Sequence, residues 1–260
     1  MEILFTIWTG LLGLVIGSFL NVVIHRLPRK IPLHKGRSVC PHCGVQLKWY
    51  HNVPVLSFVL LRGKCASCTK KISLRYPLVE LINGLAYAYF YLQTGFGPDL
   101  VVLAFLTSAL LAIFFIDLDF QIIPDVITLP GLLLGLAVSW LPGGIGIGWA
   151  VVGVLAGGGS LYLIAMLGDW LFKKESMGGG DIKMAAMLGA FLGWQKVILI
   201  FISSALIGLV VSLVIMAFSA RVRQTRIVPF GPFLATAAML SILYGDHLID
   251  LYLQYVVGRH

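Results

Sequence analysis

Residues 3–24 read ILFTIWTGLLGLVIGSFLNVVI, an apolar run without a charged side chain, preceded by Glu2 and closed by His25-Arg26. A helix rises about 1.5 Å per residue, so this run is long enough to cross the ~30 Å hydrocarbon core of a bilayer once. The charge order, acidic before and basic after, is the reverse of a secretory signal. It predicts a retained anchor whose C-terminal end faces the cytoplasm. The rest of the chain has the same character. Of 260 residues, 59% are hydrophobic and 12% charged, and the mean hydropathy is +0.95, far too apolar for a water-soluble domain of this length. The fold class expected is an all-α polytopic membrane protein.

A polar insertion interrupts the apolar pattern from His25 to Tyr76. It holds eleven of the nineteen Lys and Arg residues, from Arg26 to Arg75, so the positive-inside rule places it in the cytoplasm. From there the apolar runs predict further crossings at Pro77–Leu92, Leu100–Ile116, Val126–Leu141, Ile147–Phe172, Ile182–Leu192, Val197–Ala220 and Phe230–Tyr244. That makes about eight transmembrane helices. Seventeen basic residues then lie inside, including Lys173, Lys174, Lys183, Arg221, Arg223 and Arg226, with Lys196 and Arg259 outside. The formal charge of +8 is therefore a topology signal and an affinity for anionic lipid. No basic-aromatic module suggests nucleic acid as a partner.

All four cysteines fall in the insertion, as Cys40-Pro-His-Cys43 and Cys65-Ala-Ser-Cys68. Two C-x-x-C knuckles at this separation have the ligand spacing of a four-thiolate zinc site. Disulfides suit a reducing cytoplasm poorly, and so short an insertion needs a staple more than a redox pair. A small, zinc-ribbon-like cytoplasmic domain with structural zinc on Cys40, Cys43, Cys65 and Cys68 is expected. His42 is an alternative ligand, more simply read as a solvated knuckle residue.

Two acidic groups lie at the cytoplasmic ends of apolar runs. Asp117, Asp119 and Asp125 form one, and Gly178-Gly179-Gly180-Asp181 ends in the other. Carboxylates at membrane depth are costly and usually functional. A pair drawn from the two groups could share a proton and activate water, as an aspartic protease does. Asp181 also reads as a helix N-cap, yet three preceding glycines exceed what a cap needs and would let a substrate backbone pass close by. In the first group Asp117 is nearest the apolar run, Asp119 points to another face, and Asp125 after Pro124 could cap the next helix. Position alone favours Asp117 only modestly. Glu80 is a further acid in an apolar setting, expected to pair with Arg75 or a lysine of the zinc-binding insertion, or else to snorkel at the interface. Asp169 and Asn21 read as inward-facing helix-helix hydrogen-bonding groups, and Gly157-Gly158-Gly159 as a close-packing site, since no Lys-Ser/Thr follows to make a phosphate loop.

Several ordered motifs run through the whole chain. They are Gly17-Ser-Phe-Leu-Asn-Val-Val-Ile-His-Arg-Leu-Pro28, the two knuckles, Arg75-Tyr-Pro-Leu-Val-Glu80, Ile116-Asp-Leu-Asp119 with Ile123-Pro-Asp125, Gly178 to Asp181, and Pro229-Phe-Gly-Pro-Phe233. In these the chain resembles the bacterial type IV prepilin peptidases, bifunctional leader peptidases and N-methyltransferases of the membrane GxGD aspartic protease class. The resemblance implies that Asp117 and Asp181 are the catalytic pair. It implies cleavage, at the cytoplasmic face of the bacterial inner membrane, of the short basic leader of type IV prepilins or type II secretion pseudopilins, after a glycine and usually before phenylalanine. Methylation of the new N-terminus by S-adenosylmethionine follows.

The domains expected are an anchor (1–24), a cytoplasmic zinc-binding, methyltransferase-associated domain (25–76) and a transmembrane aspartic peptidase domain (77–260). Gly178, Gly179, Gly180 and Glu80 are the candidate substrate-binding residues. S-adenosylmethionine as methyl donor is implied by the resemblance alone, because no Rossmann glycine fingerprint is present. Two rival functions follow from the same residues: a leader peptidase without methyl transfer, and a transporter or scaffold in which the aspartates relay protons or bind cations.

Overall fold

A computed structural model of the chain describes residues 1–34, 36–174, 177–218, 229–256 and 258. Arg221, Arg223, Arg226 and Arg259, counted above for topology, lie outside these. The architecture is helical, with no strand among the described residues: α1 (Glu2–Arg26), α2 (Leu56–Leu60), α3 (Arg75–Thr94), α4 (Pro98–Phe120), α5 (Asp125–Ser139), α6 (Ile147–Val154), α7 (Ser160–Phe172), α8 (Gly179–Phe218) and α9 (Gly231–Val256). Among the described residues, five helical stretches are long and apolar enough to cross a membrane: Glu2–Arg26, Pro98–Phe120, Ile147–Phe172, Gly179–Ala217 and Gly231–Tyr255. Asp125–Ser139 is a shorter apolar helix. The fourth stretch is interrupted at Gly193, whose φ of 77° and ψ of 170° are not helical. A side chain there would be strained.

The chain divides into two compact units, Met1–Phe115 and Ile116–His260. In the first, α1 packs on α3 through a glycine stripe. A Cβ added at Gly13 would come within 2.8 Å of the Asn83 carbonyl oxygen, and one at Gly17 within 2.7 Å of the Glu80 Cα. Small residues let backbones approach, and polar side chains then bond across the seam. Asn83 Nδ2 donates to the Gly13 carbonyl at 2.8 Å, and Ser108 Oγ donates to Asn83 Oδ1 at 3.0 Å. Tyr87 shares a 2.9 Å hydrogen bond with the same Ser108 hydroxyl. Asn21 does what the sequence suggests, its Nδ2 donating to the Tyr76 carbonyl at 3.1 Å.

In the second unit the core is the first arm of α8, where Met184, Ala185, Met187, Leu188 and Ala190 are fully buried. Residues 147–172 are helical throughout, with a π-helical turn at Leu155–Gly159 between α6 and α7. Its glycines are packing residues: a Cβ at Gly157 would collide with the Ala185 carbonyl, and Cβ atoms at Gly153 and Gly189 would each collide with the other's backbone. Asp169, by contrast, is exposed on α7 rather than turned inward.

Candidate active site and metal centre

Asp117 sits in the last turn of α4 and is buried at 5% exposure, whereas Asp119 two residues on is exposed. A helix turns about 100° per residue, which sends the two side chains to different faces. The Gly231 N–H, at the start of α9, points at the Asp117 carboxylate. The fit leaves no room for a side chain, because a Cβ on Gly231 would stand 2.6 Å from Asp117 Oδ2. Pro229-Phe-Gly-Pro-Phe233 thus brings a bare helix N-terminus against a carboxylate, a favourable site for a negative oxygen.

Asp181 is not the cap of α8. The helix begins at Gly179, so Asp181 lies within the first turn, its N–H donating to the Gly178 carbonyl at 3.1 Å. Its carboxylate is within electrostatic reach of Asp117, and its Oδ1 is buried and takes no hydrogen bond from any described residue. Two carboxylates from separate helix ends therefore lie within electrostatic reach of one another.

The glycines before Asp181 differ in role. A Cβ on Gly180 would lie 2.8 Å from the Ile123 Cβ, one on Gly178 would lie 3.4 Å from Asp181 Oδ2, and one on Gly179 would meet nothing within 4 Å. Ile123 also lies 3.1 Å from a Cβ placed on Gly231. It is wedged between the two glycine-bearing helix starts. Asp125 begins α5 without a side-chain capping bond. Instead both its oxygens accept from Lys183 Nζ, at 2.8 and 2.7 Å, linking the start of α5 to the first turn of α8. In the sequence Ile123 and Gly231 stand out only as members of motifs, and Lys183 only as a charge. A glycine between prolines at a helix start was the one available signal.

Glu80 departs from expectation. It is buried at 8% exposure, and its Oε2 accepts the Val55 N–H at 2.8 Å, with Ser18 as a further donor. Arg75 instead lies over the Phe115 ring, 5.1 Å from its centroid.

The metal centre lies in the first unit. The Sγ atoms of Cys40, Cys43, Cys65 and Cys68 all fall within 4.8 Å of one another, and those of Cys40 and Cys68 are 3.9 Å apart. A tetrahedral ion with ~2.3 Å metal–sulfur bonds needs sulfurs about 3.8 Å apart, so the four cysteines fit a bound metal. The knuckles match in detail: Gly44 and Thr69 N–H groups donate back to the Cys40 and Cys65 carbonyls, each at 2.9 Å. Both residues have positive φ, 69° and 57°. Backbone N–H groups of Cys68 and Ser67 aimed at its sulfur hold the Cys65 thiol at about 6, which favours the ligating thiolate.

Comparison with known proteins covers both units. The family described as Bacterial Peptidase A24 N-terminal domain matches residues 11–94, and the Type IV leader peptidase family matches residues 104–213. The chain is 38% identical to a prepilin leader peptidase/N-methyltransferase of Aeromonas hydrophila, over 94% of this chain and 92% of that one. It is 39% identical to the protein of that name from Stutzerimonas stutzeri, over 96% and 94%. The Pseudomonas aeruginosa protein of the same name is 38% identical over the same shares. No solved structure matches the chain significantly.

Proposed function

The chain belongs to the type IV leader peptidase family, and from that premise we propose that Asp117 and Asp181 are its catalytic pair. The chain is a prepilin leader peptidase and N-methyltransferase. The observation that carries the proposal is a buried Asp117 with Asp181 in electrostatic reach, whose Oδ1 takes no hydrogen bond from any described residue. Such a pair holds one proton between its members. The ionised carboxylate takes a proton from water, whose oxygen attacks the scissile carbonyl carbon. The protonated carboxylic acid donates to the carbonyl oxygen. Collapse of the intermediate breaks the C–N bond, and the amine leaves with a proton.

The substrates proposed are prepilins or pseudopilins, cut at a Gly-Phe type bond at the cytoplasmic face of the inner membrane. A basic leader would stay in the cytoplasm while the apolar helix after it enters the bilayer, so the bond between them is expected at the interface, and the position of Asp117 and Asp181 at the ends of apolar helices supports that reading. The count of eight crossings belongs to the same proposal. So do the anchor (1–24), the cytoplasmic domain (25–76) and the peptidase domain (77–260), and anionic lipid as a second partner. S-adenosylmethionine would supply the methyl group to the freed amine, with S-adenosylhomocysteine as the by-product.

The test is incubation of purified protein with a prepilin and S-adenosylmethionine, followed by mass measurement of the product. Expected is a shortened pilin carrying one additional methyl group on its new N-terminus. A shortened but unmethylated product would leave the peptidase and remove the methyltransferase, and an uncut prepilin would favour a proton relay or scaffold. Gly179→Ala adds a sharper readout. With nothing nearby for its methyl to strike, the variant is expected to keep its thermal stability and to raise KM or lower kcat severalfold if Gly179 borders the substrate backbone. Unchanged kinetics would remove Gly179 from the substrate-binding set.

We propose zinc as the metal, with a structural role because protein thiolates fill all four tetrahedral positions. Cys40→Ser is expected to reduce zinc, measured by atomic absorption, from about one equivalent to a small fraction of one. Stoichiometric zinc in that variant would refute the four-thiolate centre.

A further inference from the structure

Around Trp49 the insertion carries apolar side chains that its small fold does not cover. Trp49 is 79% exposed, Leu60 72%, Val59 63% and Leu56 54%, while Phe58 turns inward against Gly63, 3.0 Å from a Cβ placed there. A soluble loop has no reason to present such a patch to water. Its height is fixed by one contact. Val55, a β-branched residue at a φ of 59°, is held by the 2.8 Å hydrogen bond from its N–H to Glu80. Glu80 is the sixth residue of α3, about 7.5 Å along the axis from Arg75, and the α3 residues flanking it, Leu78 and Leu81, are 48% and 39% exposed. The patch is therefore tied to α3 at the level of Glu80, beside exposed apolar side chains of a helix that the sequence reading takes as a crossing.

The charges around it select the surface it meets. Between Glu2 and Glu80 the chain has no Asp or Glu, and eleven Lys and Arg. Lys48, Arg62 and Lys64, which flank these residues in sequence, are all exposed. An apolar patch with an aromatic residue and a one-signed basic rim matches the headgroup layer of an anionic membrane, where Trp is favoured and each basic residue adds attraction. A segment carrying basic residues, such as the leader proposed above, would be repelled by the same rim.

We propose that Trp49–Leu60, with Lys48, Arg62 and Lys64, is an interfacial anchor that seats the insertion on anionic lipid headgroups. The proposal rests on the reading that α3 crosses the membrane but not on the assignment of Asp117 and Asp181 or on sidedness, since reconstituted vesicles carry the same lipid in both leaflets.

The test compares the intact protein with Trp49→Phe, so that the difference in emission belongs to Trp49. Both are reconstituted in phosphatidylcholine containing phosphatidylglycerol, with bromine placed near the headgroup on one lipid or the other. Trp49 emission is expected to fall at least twofold, and to fall further when the glycerol lipid carries the bromine. Replacing Lys48, Arg62 and Lys64 together by Gln should abolish that preference while leaving zinc content unchanged. Trp49 emission that ignores bromine on either lipid overturns the anchor, and equal quenching by both overturns the anionic choice. Emission that ignores bromine but is shielded from aqueous iodide when a prepilin is added would make the substrate the occupant and sink the proposal.

Discussion

Asp117→Asn and Asp181→Asn are each expected to lower leader removal by on the order of 10³-fold or more, with the folded protein still recovered at parental yield. Asparagine keeps the shape and removes the ability to hold or pass a proton. The loss should be non-additive, because either change leaves a single carboxyl that cannot play both parts; the double variant should be no slower than the worse single one. Asp119→Asn, at an exposed position one face away, should cut at close to the parental rate. A prepilin processed at the parental rate by either dyad variant would end the assignment. Gly231→Ala tests the same pair from outside it: its methyl would stand 2.6 Å from Asp117 Oδ2, so activity should fall steeply while Asp117 itself remains.

Gly153→Leu and Gly189→Leu should do the opposite, removing the fold and activity together. At these positions α6 and α8 are in backbone contact, and neither helix can accommodate a side chain without moving away. Overpacking costs typically ~1–3 kcal/mol and occasionally more, and a backbone-to-backbone contact lies at the upper end, a large share of a domain's net stability. Loss of a cooperative thermal transition in detergent, or rapid trypsin cleavage, would report it. Gly148→Leu, one turn earlier and open to its surroundings, is the matched control. A Gly189→Leu protein with unchanged melting would mean that the two helices are not packed as described.

Apolar runs made the helices legible, because a segment surrounded by lipid must bond its own backbone. Even the interruption of α8 at Gly193 falls in the gap left between residues 192 and 197 when the runs were read. The thiolate quartet was legible for a similar reason, since metal ligation fixes a local spacing. The contacts between distant segments were not. Nothing near Glu80 in sequence announces Val55 as its donor, and nothing near Asp117 announces Gly231. Spacing also left Asp117 as only one of three acids, and it took the order of motifs along the chain to single it out. Asp125 after Pro124 has the local signature of a possible cap, yet Lys183, far along the chain, holds that carboxylate.

The pair Lys183–Asp125 is half exposed, at 41% and 52%. Its contribution to stability is therefore expected to stay below about 1 kcal/mol, so Lys183→Met should melt within a few degrees of the parent. A shift beyond about 10 °C would mean that it holds the two helix starts together more firmly than exposed charges can.

The lengths of the helices that start beside the site carry a last consequence. α5 has 15 residues, and the arm of α8 before Gly193 has about 14, so each is only ~21 Å long against a hydrocarbon core of ~30 Å. Hydrophobic mismatch of this size is relieved by a thinner bilayer or by polar groups drawn below the headgroup plane. The substrate's apolar helix would then slide toward the carboxylates without leaving its lipid. Acyl-chain length becomes a control on turnover, with shorter-chain lipids expected to speed cleavage and thicker bilayers to slow it.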